Sequence, residues 1–406
     1  MQFSIQQNHL EKLGALAVAC VTLSGVAMAQ ASGAATVPES TPVMQHYTQT
    51  DLTSNNASLA PMHDQNLVNP WGLSRSSDGP WWVSDNGTGF STLYDGAGVT
   101  QPLVVTIPAA EAGHTGSPTG TIFNGGTGFA IKGRPSIFLF VTEDGTISGW
   151  NPQGNLTNAL IAVNEKNHSV YKGATIAAAG RGEARQQYLY VADFFHARVQ
   201  IFDRSFHHVA VLEDRFAQRA DDTDHQARVE DSAAGHQENG EEGRKGEDGF
   251  APFNVQNIGG NIYVAYAKQD ASRFNEVDGA GLGFVVIYSP EGRRLGQLQK
   301  GAYFNAPWGM TLASSDFGAY SHDLLVGQFG SGEILVFDPL TGKFMGSLTG
   351  ANNAPLKIDG LWGLSFGNGL KGGPATSLYF AAGVNHEQGG LLGSIAPVEN
   401  EQGNNQ

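Results

Sequence analysis

The chain has 406 residues, 54 of them glycine, and a formal charge of −15. The acidic balance argues against a nucleic-acid partner, because phosphate binding needs a clustered basic surface. Cys20 is the one thiol and falls in the N-terminal segment. The rest of the chain therefore has no disulfide, no thiolate nucleophile and no thiolate metal ligand.

Residues 13–23 form an apolar run after Lys12, and Ala27-Met28-Ala29 follows with small residues at both cleavage-defining positions. This is the layout of a secretory signal peptide over residues 1–29, cleaved after Ala29. The expected location is the periplasm or the outside of the cell. Ala17-Val18-Ala19-Cys20 offers an alternative, a lipoprotein anchored at Cys20. No later segment is apolar enough to span a membrane, so none remains after cleavage. Residues 30–45 are small and polar and read as a flexible leader.

From residue 46 the sequence repeats itself. Asn69-Pro70-Trp71-Gly72-Leu73 leads to Trp81-Trp82-Val83-Ser84-Asp85 and then to Ser91-Thr92-Leu93-Tyr94. Ala306-Pro307-Trp308-Gly309-Met310 and Gly360-Leu361-Trp362-Gly363-Leu364 open two similar units. Weaker copies start around Gly120, Gly173 and Asn254. The anchors Gly72, Gly120, Gly173, Asn254, Gly309 and Gly363 step by about one four-stranded blade, ~40–50 residues, except for one long step. The reading is an all-β, six-bladed β-propeller of four-stranded antiparallel blades over residues 46–398. Radial stacking buries sheets that are apolar on both faces. Trp71, Trp308 and Trp362 are expected to wedge between neighbouring blades. The alternating run around His46-Tyr47-Thr48 is expected to supply the outer strand of the last blade and close the ring.

Residues 218–249 account for the long step. They are rich in acid (Asp221, Asp222, Asp224, Glu241, Glu242) and nearly free of apolar residues. Such a segment cannot offset its ordering entropy, so a disordered insertion is expected. The tail over 399–406 is expected to be disordered as well.

A propeller binds ligands over its axis, at the face lined by two loop sets. The loops entering the inner strands bring Asn69, Asn254, Asn305 and Asp359. The loops between second and third strands bring Asp85, Asn86, Glu143, Asp144, Asp193, Gln328, Asn385 and His386. These oxygen donors suit Ca²⁺ or Mg²⁺, with Asp85, Asp193, Asn254, Asn305 and Asp359 as candidate ligands. Asn69, Asn86, Glu143, Asp144, Gln328 and Asn385 are candidates for contacting a ligand on the axial face. His386 is the candidate acid–base residue. Asp and Asn are equally the ordinary residues of tight turns, which is the competing reading of each. The chain has no G-x-S-x-G, no H-E-x-x-H and no P-loop.

The runs Leu67-Val68-Asn69-Pro70-Trp71-Gly72-Leu73, Ala306-Pro307-Trp308-Gly309 and Gly360-Leu361-Trp362-Gly363-Leu364 resemble an uncharacterised family of exported bacterial propeller proteins. Some members carry a C-terminal PEP-CTERM sorting tail. The resemblance covers roughly residues 46–396, and this chain departs from it in that nothing apolar follows Ile395. More broadly the blades are similar to NHL repeats and gluconolactonase-like propellers, some of which are Ca²⁺-dependent lactonases using axial Glu, Asn and Asp. That resemblance implies a metal role for Asn254, Asn305, Asp193 and Asp359. Two classes stay open. One is a monomeric binding or scaffold module for a small molecule, glycan or protein. The other is a divalent-metal-dependent hydrolase in which an axial cation activates water.

Overall fold

The computed structural model describes residues 45–212 and 249–399. The signal segment, the leader, the acidic insertion and the tail lie outside the described residues, apart from Gln45, Gly249 and Glu399. Among the described residues there is no α-helix, and none that could cross a membrane.

Six antiparallel sheets follow one another along the chain. Their inner strands are Pro70–Ser74, Pro118–Phe123, Tyr171–Ala179, Phe250–Ile258, Pro307–Leu312 and Leu361–Phe366. Each opens a blade, numbered one to six; blades one to five hold four strands in their main path, and in blade six the two-residue strand Met62–His63 adds a fifth, parallel to Tyr47–Ser54. The protein is a six-bladed β-propeller. Apolar side chains from both faces of each sheet fill the spaces between blades. One such layer joins Tyr190, Val199 and Ile201 of blade three to Val255, Val264 and Val286 of blade four.

The anchor positions of the repeat have a steric origin. A Cβ on Gly72 would lie 2.5 Å from the Thr119 carbonyl oxygen of blade two. A Cβ on Gly363 would lie 2.5 Å from the Trp71 carbonyl oxygen of blade one. Neighbouring inner strands therefore touch backbone to backbone at the anchor, which only glycine permits. Blade four carries Asn254 there instead. Its side-chain amide donates to the Trp308 carbonyl of blade five at 2.8 Å. The amide replaces a close approach by a hydrogen bond to the same kind of carbonyl.

The ring closes as the sequence predicts. Tyr47–Ser54 pairs antiparallel with Leu391–Pro397, from Tyr47↔Pro397 to Ser54↔Leu391. The first described strand thus becomes the fourth strand of blade six. Tyr47 is fully buried, and its hydroxyl donates to the Phe317 carbonyl of blade five at 3.0 Å. Closure is therefore held by core packing as well as by the backbone ladder.

The tryptophans need a correction. They do more than wedge between neighbouring blades: they meet on the axis. Trp71 and Trp308, from blades one and five, approach edge to face at 6.0 Å, and each also packs on Trp362 of blade six. Phe253 of blade four joins them. Four aromatic rings from four blades form a plug across the channel.

Candidate functional site

The two loop sets share one face because backbone bonds lace them together at equivalent places. Asn86 N donates to Asn69 O, Glu143 N to Ser117 O, Phe194 N to Val170 O, Phe329 N to Ala306 O, and Gly383 N to Gly360 O. The residue just before each anchor forms the floor of that face. Around the ring these residues are Trp71, Thr119, Lys172, Phe253, Trp308 and Trp362. Five are uncharged and the sixth is a lysine.

Lys172 is 1% exposed. An isolated buried ammonium is strongly unfavourable, so it must be paired. Its Nζ lies 2.6 Å from Glu143 Oε1 of blade two and 3.9 Å from Glu276 Oε2 of blade four. The same nitrogen sits 5.0 Å from the Trp71 ring centroid and 5.5 Å from that of Phe274, within cation–π range. Burial depresses the ammonium's pKa, but the charges of Glu143 and Glu276 outweigh it and the net shift is upward.

A hydrogen-bonded chain runs from this pair to the plug. Asn86 Nδ2 donates to Glu143 Oε2 at 2.8 Å. Asn69 Nδ2 donates to Glu387 Oε2 at 2.7 Å and more weakly to Asn86 Oδ1 at 3.4 Å. Trp362 Nε1 donates to Asn69 Oδ1 at 3.1 Å. Carboxylates from three blades thus face one ammonium, and Asp278 adds a fourth negative group that acts on Glu276 and Glu387. The Glu276 carboxyl is raised to about 7: burial pushes it up, Lys172 pulls it down, and Glu387 and Asp278 add to the rise. Burial also raises Glu387 and Asp278.

The loop that delivers Glu387 is strained. Asn385, His386 and Glu387 have φ of 56°, 54° and 65°, three successive non-glycine residues in the left-handed region. Each such residue costs roughly 1–2 kcal/mol. Asn385 N donates to Asp359 Oδ2 at 2.7 Å, which helps hold the turn. Strain of this kind concentrates where a side chain must be aimed.

The structure brings together Asn69, Asn86 and Glu143 from the sequence candidates. Others position the loops around them. Gln328 Oε1 accepts from Asn305 N at 2.8 Å, and Asn305 Oδ1 accepts from Gly279 N at 2.7 Å, beside Asp278. Asp359 and Asn385 shape the turn before Glu387. Asp144 accepts from Ala110 N through one oxygen and buries the other without a partner. His386 is exposed, and its neighbour Glu387 is the residue that reaches the network.

Asp85 and Asp193 serve their own blades. Asp85 Oδ2 accepts from Thr92 N and Thr92 Oγ1, its other oxygen is buried without a partner, and burial raises its pKa well above the usual range. Asp193 Oδ2 accepts from Ser169, His196 and Gln200, with Arg198 at 3.3 Å. Asn254 is engaged with Trp308. Among the described residues, no hydrogen bond links any two of Asp85, Asp193, Asn254, Asn305 and Asp359. Nor is any group of three or more His, Cys, Asp or Glu placed to hold a metal ion.

Lys172, Glu276, Asp278 and Glu387 escaped the sequence reading. Lys172 left a signal: it occupies the repeat position that carries tryptophan in three other blades. Glu276 and Asp278 left none, because they stand in and just after the extra two-residue strand Glu276–Val277, which has no counterpart in the repeat.

Two cavities are present among the described residues. Beside the acidic mouth is one of about 490 Å³, lined by Glu143, Asp144, Glu165, His168, Phe195 and Phe274 among others. A second, of about 310 Å³, is lined by the inner strands beyond their anchors, with Ser74, Thr121, Gln256, Thr311 and Ser365.

No protein-family model matches the chain. It is 30% identical over 357 residues to uncharacterized protein L690 of Acanthamoeba polyphaga mimivirus, covering 85% of this chain and 84% of that protein. Uncharacterized protein R648 of the same virus is 27% identical over 353 residues, 85% of this chain and 78% of its own. Among solved structures, virginiamycin B lyase from Staphylococcus aureus aligns with 10% identity and a TM-score of 0.46 over 87% of this chain and all of that chain (100%). A protein of unknown function from Bacteroides thetaiotaomicron aligns with 11% identity and a TM-score of 0.49, over 87% and 77%. These structural likenesses carry nothing about activity.

Proposed function

We propose a ligand-binding role for this chain, which belongs to one family with the mimivirus protein L690. The ligand sits on the acidic axial mouth. The observation that carries the reading is Lys172, a buried ammonium held among carboxylates of other blades over an aromatic floor. A strained loop and a continuous polar network hold that geometry in place, which is the preorganisation that binding sites need. Small molecules, glycans and protein side chains all remain within reach of such a mouth.

The same proposal places the protein outside the cytoplasm. Support comes from the apolar run over 13–23 with Ala27-Met28-Ala29, and from the resemblance to exported bacterial propellers.

Metal-dependent hydrolysis has less support. Ca²⁺ or Mg²⁺ would have to share Glu143 with the Lys172 ammonium, which already neutralises it at 2.6 Å. The test is a thermal-shift screen of the full chain against neutral, anionic and cationic small molecules and the two metals. A native-state ligand raises the melting temperature. A shift that disappears in Glu387→Ala supports the mouth as the site. No shift with any compound sinks the binding reading. A shift with Ca²⁺ alone moves the case to the hydrolase.

A further inference from the structure

Gln269 ends the strand Asn261–Gln269 of blade four and is 7% exposed. Its Nε2 donates to the Phe194 carbonyl at 2.6 Å, which assigns the two ends of the amide. The other end, Oε1, is buried and accepts no hydrogen bond. Buried acceptors are almost always satisfied, so this one calls for a donor. Gln269 pairs directly opposite Glu276, and the Phe194 ring lies 5.8 Å from Lys172 Nζ. The orphan acceptor therefore stands beside Glu276, on the blade-four side of the acidic mouth.

Charge and shape agree with that demand. Glu276, Asp278 and Glu387 exceed what Lys172 can neutralise once Glu143 is paired with it. The adjoining cavity adds Glu111, Asp144 and Glu165 against one cation, Lys166, and the buried Oδ1 of Asp144 is also without a donor. Its walls include the rings of Phe195 and Phe274. Both rings already take cations of the protein itself: Arg273 lies 4.6 Å from the Phe195 centroid, and Lys172 lies 5.5 Å from that of Phe274. Acceptors without donors, excess negative charge and aromatic walls are the features that recognise an organic cation.

We propose that the mouth and its adjoining cavity bind an organic cation bearing several N–H donors, an ammonium or a guanidinium, with Gln269 Oε1 as the buried acceptor. The inference rests on the binding reading above and names its ligand class. A bare metal ion fits the site less well, since aromatic walls and an amide acceptor favour a flat or alkylated cation. Affinity follows the charge of Glu276, which faces Lys172, Glu387 and Asp278, with Glu143 across the same ammonium. Its carboxyl ionises around pH 7, so the site gains negative charge as pH rises from 6 to 8.

Agmatine, which carries both an ammonium and a guanidinium, is the probe. Calorimetry on the full chain at pH 8, with glutarate, 1,5-pentanediol, Ca²⁺ and Mg²⁺ in parallel, reads the outcome. Saturable agmatine binding is expected, weakened several-fold at pH 6 and at least about tenfold in Gln269→Leu and in Glu387→Gln. Glu387→Gln changes only charge on a loop, so it keeps the test valid should Gln269→Leu not fold. Agmatine binding that both variants leave unchanged overturns the assignment. Glutarate or the diol saturating in place of agmatine overturns the cation inference and leaves the binding reading standing. Ca²⁺ or Mg²⁺ saturating alone replaces it with a metal site. Silence from every probe, together with a negative thermal-shift screen, removes both readings.

Discussion

Trp71 and Trp362 stack with ring centroids 3.5 Å apart and planes 17° from parallel, joining the first blade to the last on the axis itself. Trp362 is wholly buried, stacks on Phe329 at 4.0 Å and donates to Asn69. One ring thus supports the plug, the closure and the mouth's polar network. Trp362→Ala is expected to lower stability by about 3–5 kcal/mol, the range for truncating a buried aromatic. Urea unfolding measures it, and a loss under ~1 kcal/mol would show that the plug is dispensable.

The outer closure is tested separately. Deleting the chain through Leu52 removes most of the strand paired with Leu391–Pro397 and takes Tyr47 out of the core. Exposing that surface costs several kcal/mol, and in a domain of this size each one shifts the melting temperature by roughly 1–2 °C. A truncated protein that melts with the intact one would refute the closure.

Stability should respond to pH through Glu276. Its folded carboxyl sits at about 7, above the ordinary 4.5 of the unfolded chain, so the native state binds the extra proton between those values. The contribution is fully present below pH 4.5 and is lost as pH rises through 7. Glu276→Gln should flatten that part of the profile, by roughly 3 kcal/mol at most. Chemical denaturation of both proteins from pH 4 to 8 reads it, and parallel profiles would contradict the assignment. Stability and cation affinity move in opposite directions here, because one ionisation strains the fold and attracts the ligand.

Export has a direct readout. Protein recovered from the periplasm or medium of an expressing bacterium should begin at Gln30 by intact-mass measurement. A lipid-modified N-terminus at Cys20 would favour the anchored alternative, and uncleaved protein confined to the cytoplasm would defeat both.

Much of the architecture was legible because one local requirement recurs six times. Each inner strand meets the next where no side chain fits, and Gly72, Gly120, Gly173, Gly309 and Gly363 mark those meetings. Asn254 broke the pattern in letter but kept it in function, by reaching the same carbonyl with its amide. Tyr47 was legible as a strand because alternation is local, and as the closing strand because blade six lacked a fourth.

The mouth was legible only in outline. Asn69, Asn86 and Glu143 could be placed on its rim because the repeat assigns them to loops of one face. Asp85 and Asp193 sit on equivalent loops, yet their carboxylates turn inward to donors of their own blades. Orientation at a loop end depends on which donors are nearby, and those come from other parts of the fold.

By itself the sequence determined the ring: the number of blades, the glycine contacts between them and the strand that closes it, all written in residues that act on their immediate neighbours. The tertiary structure alone decided what stands at the centre. Lys172, Glu143, Glu276 and Glu387 come from four different blades and meet only when the circle is complete. Burial and mutual charge then set the properties of the group, and neither exists until the blades enclose it.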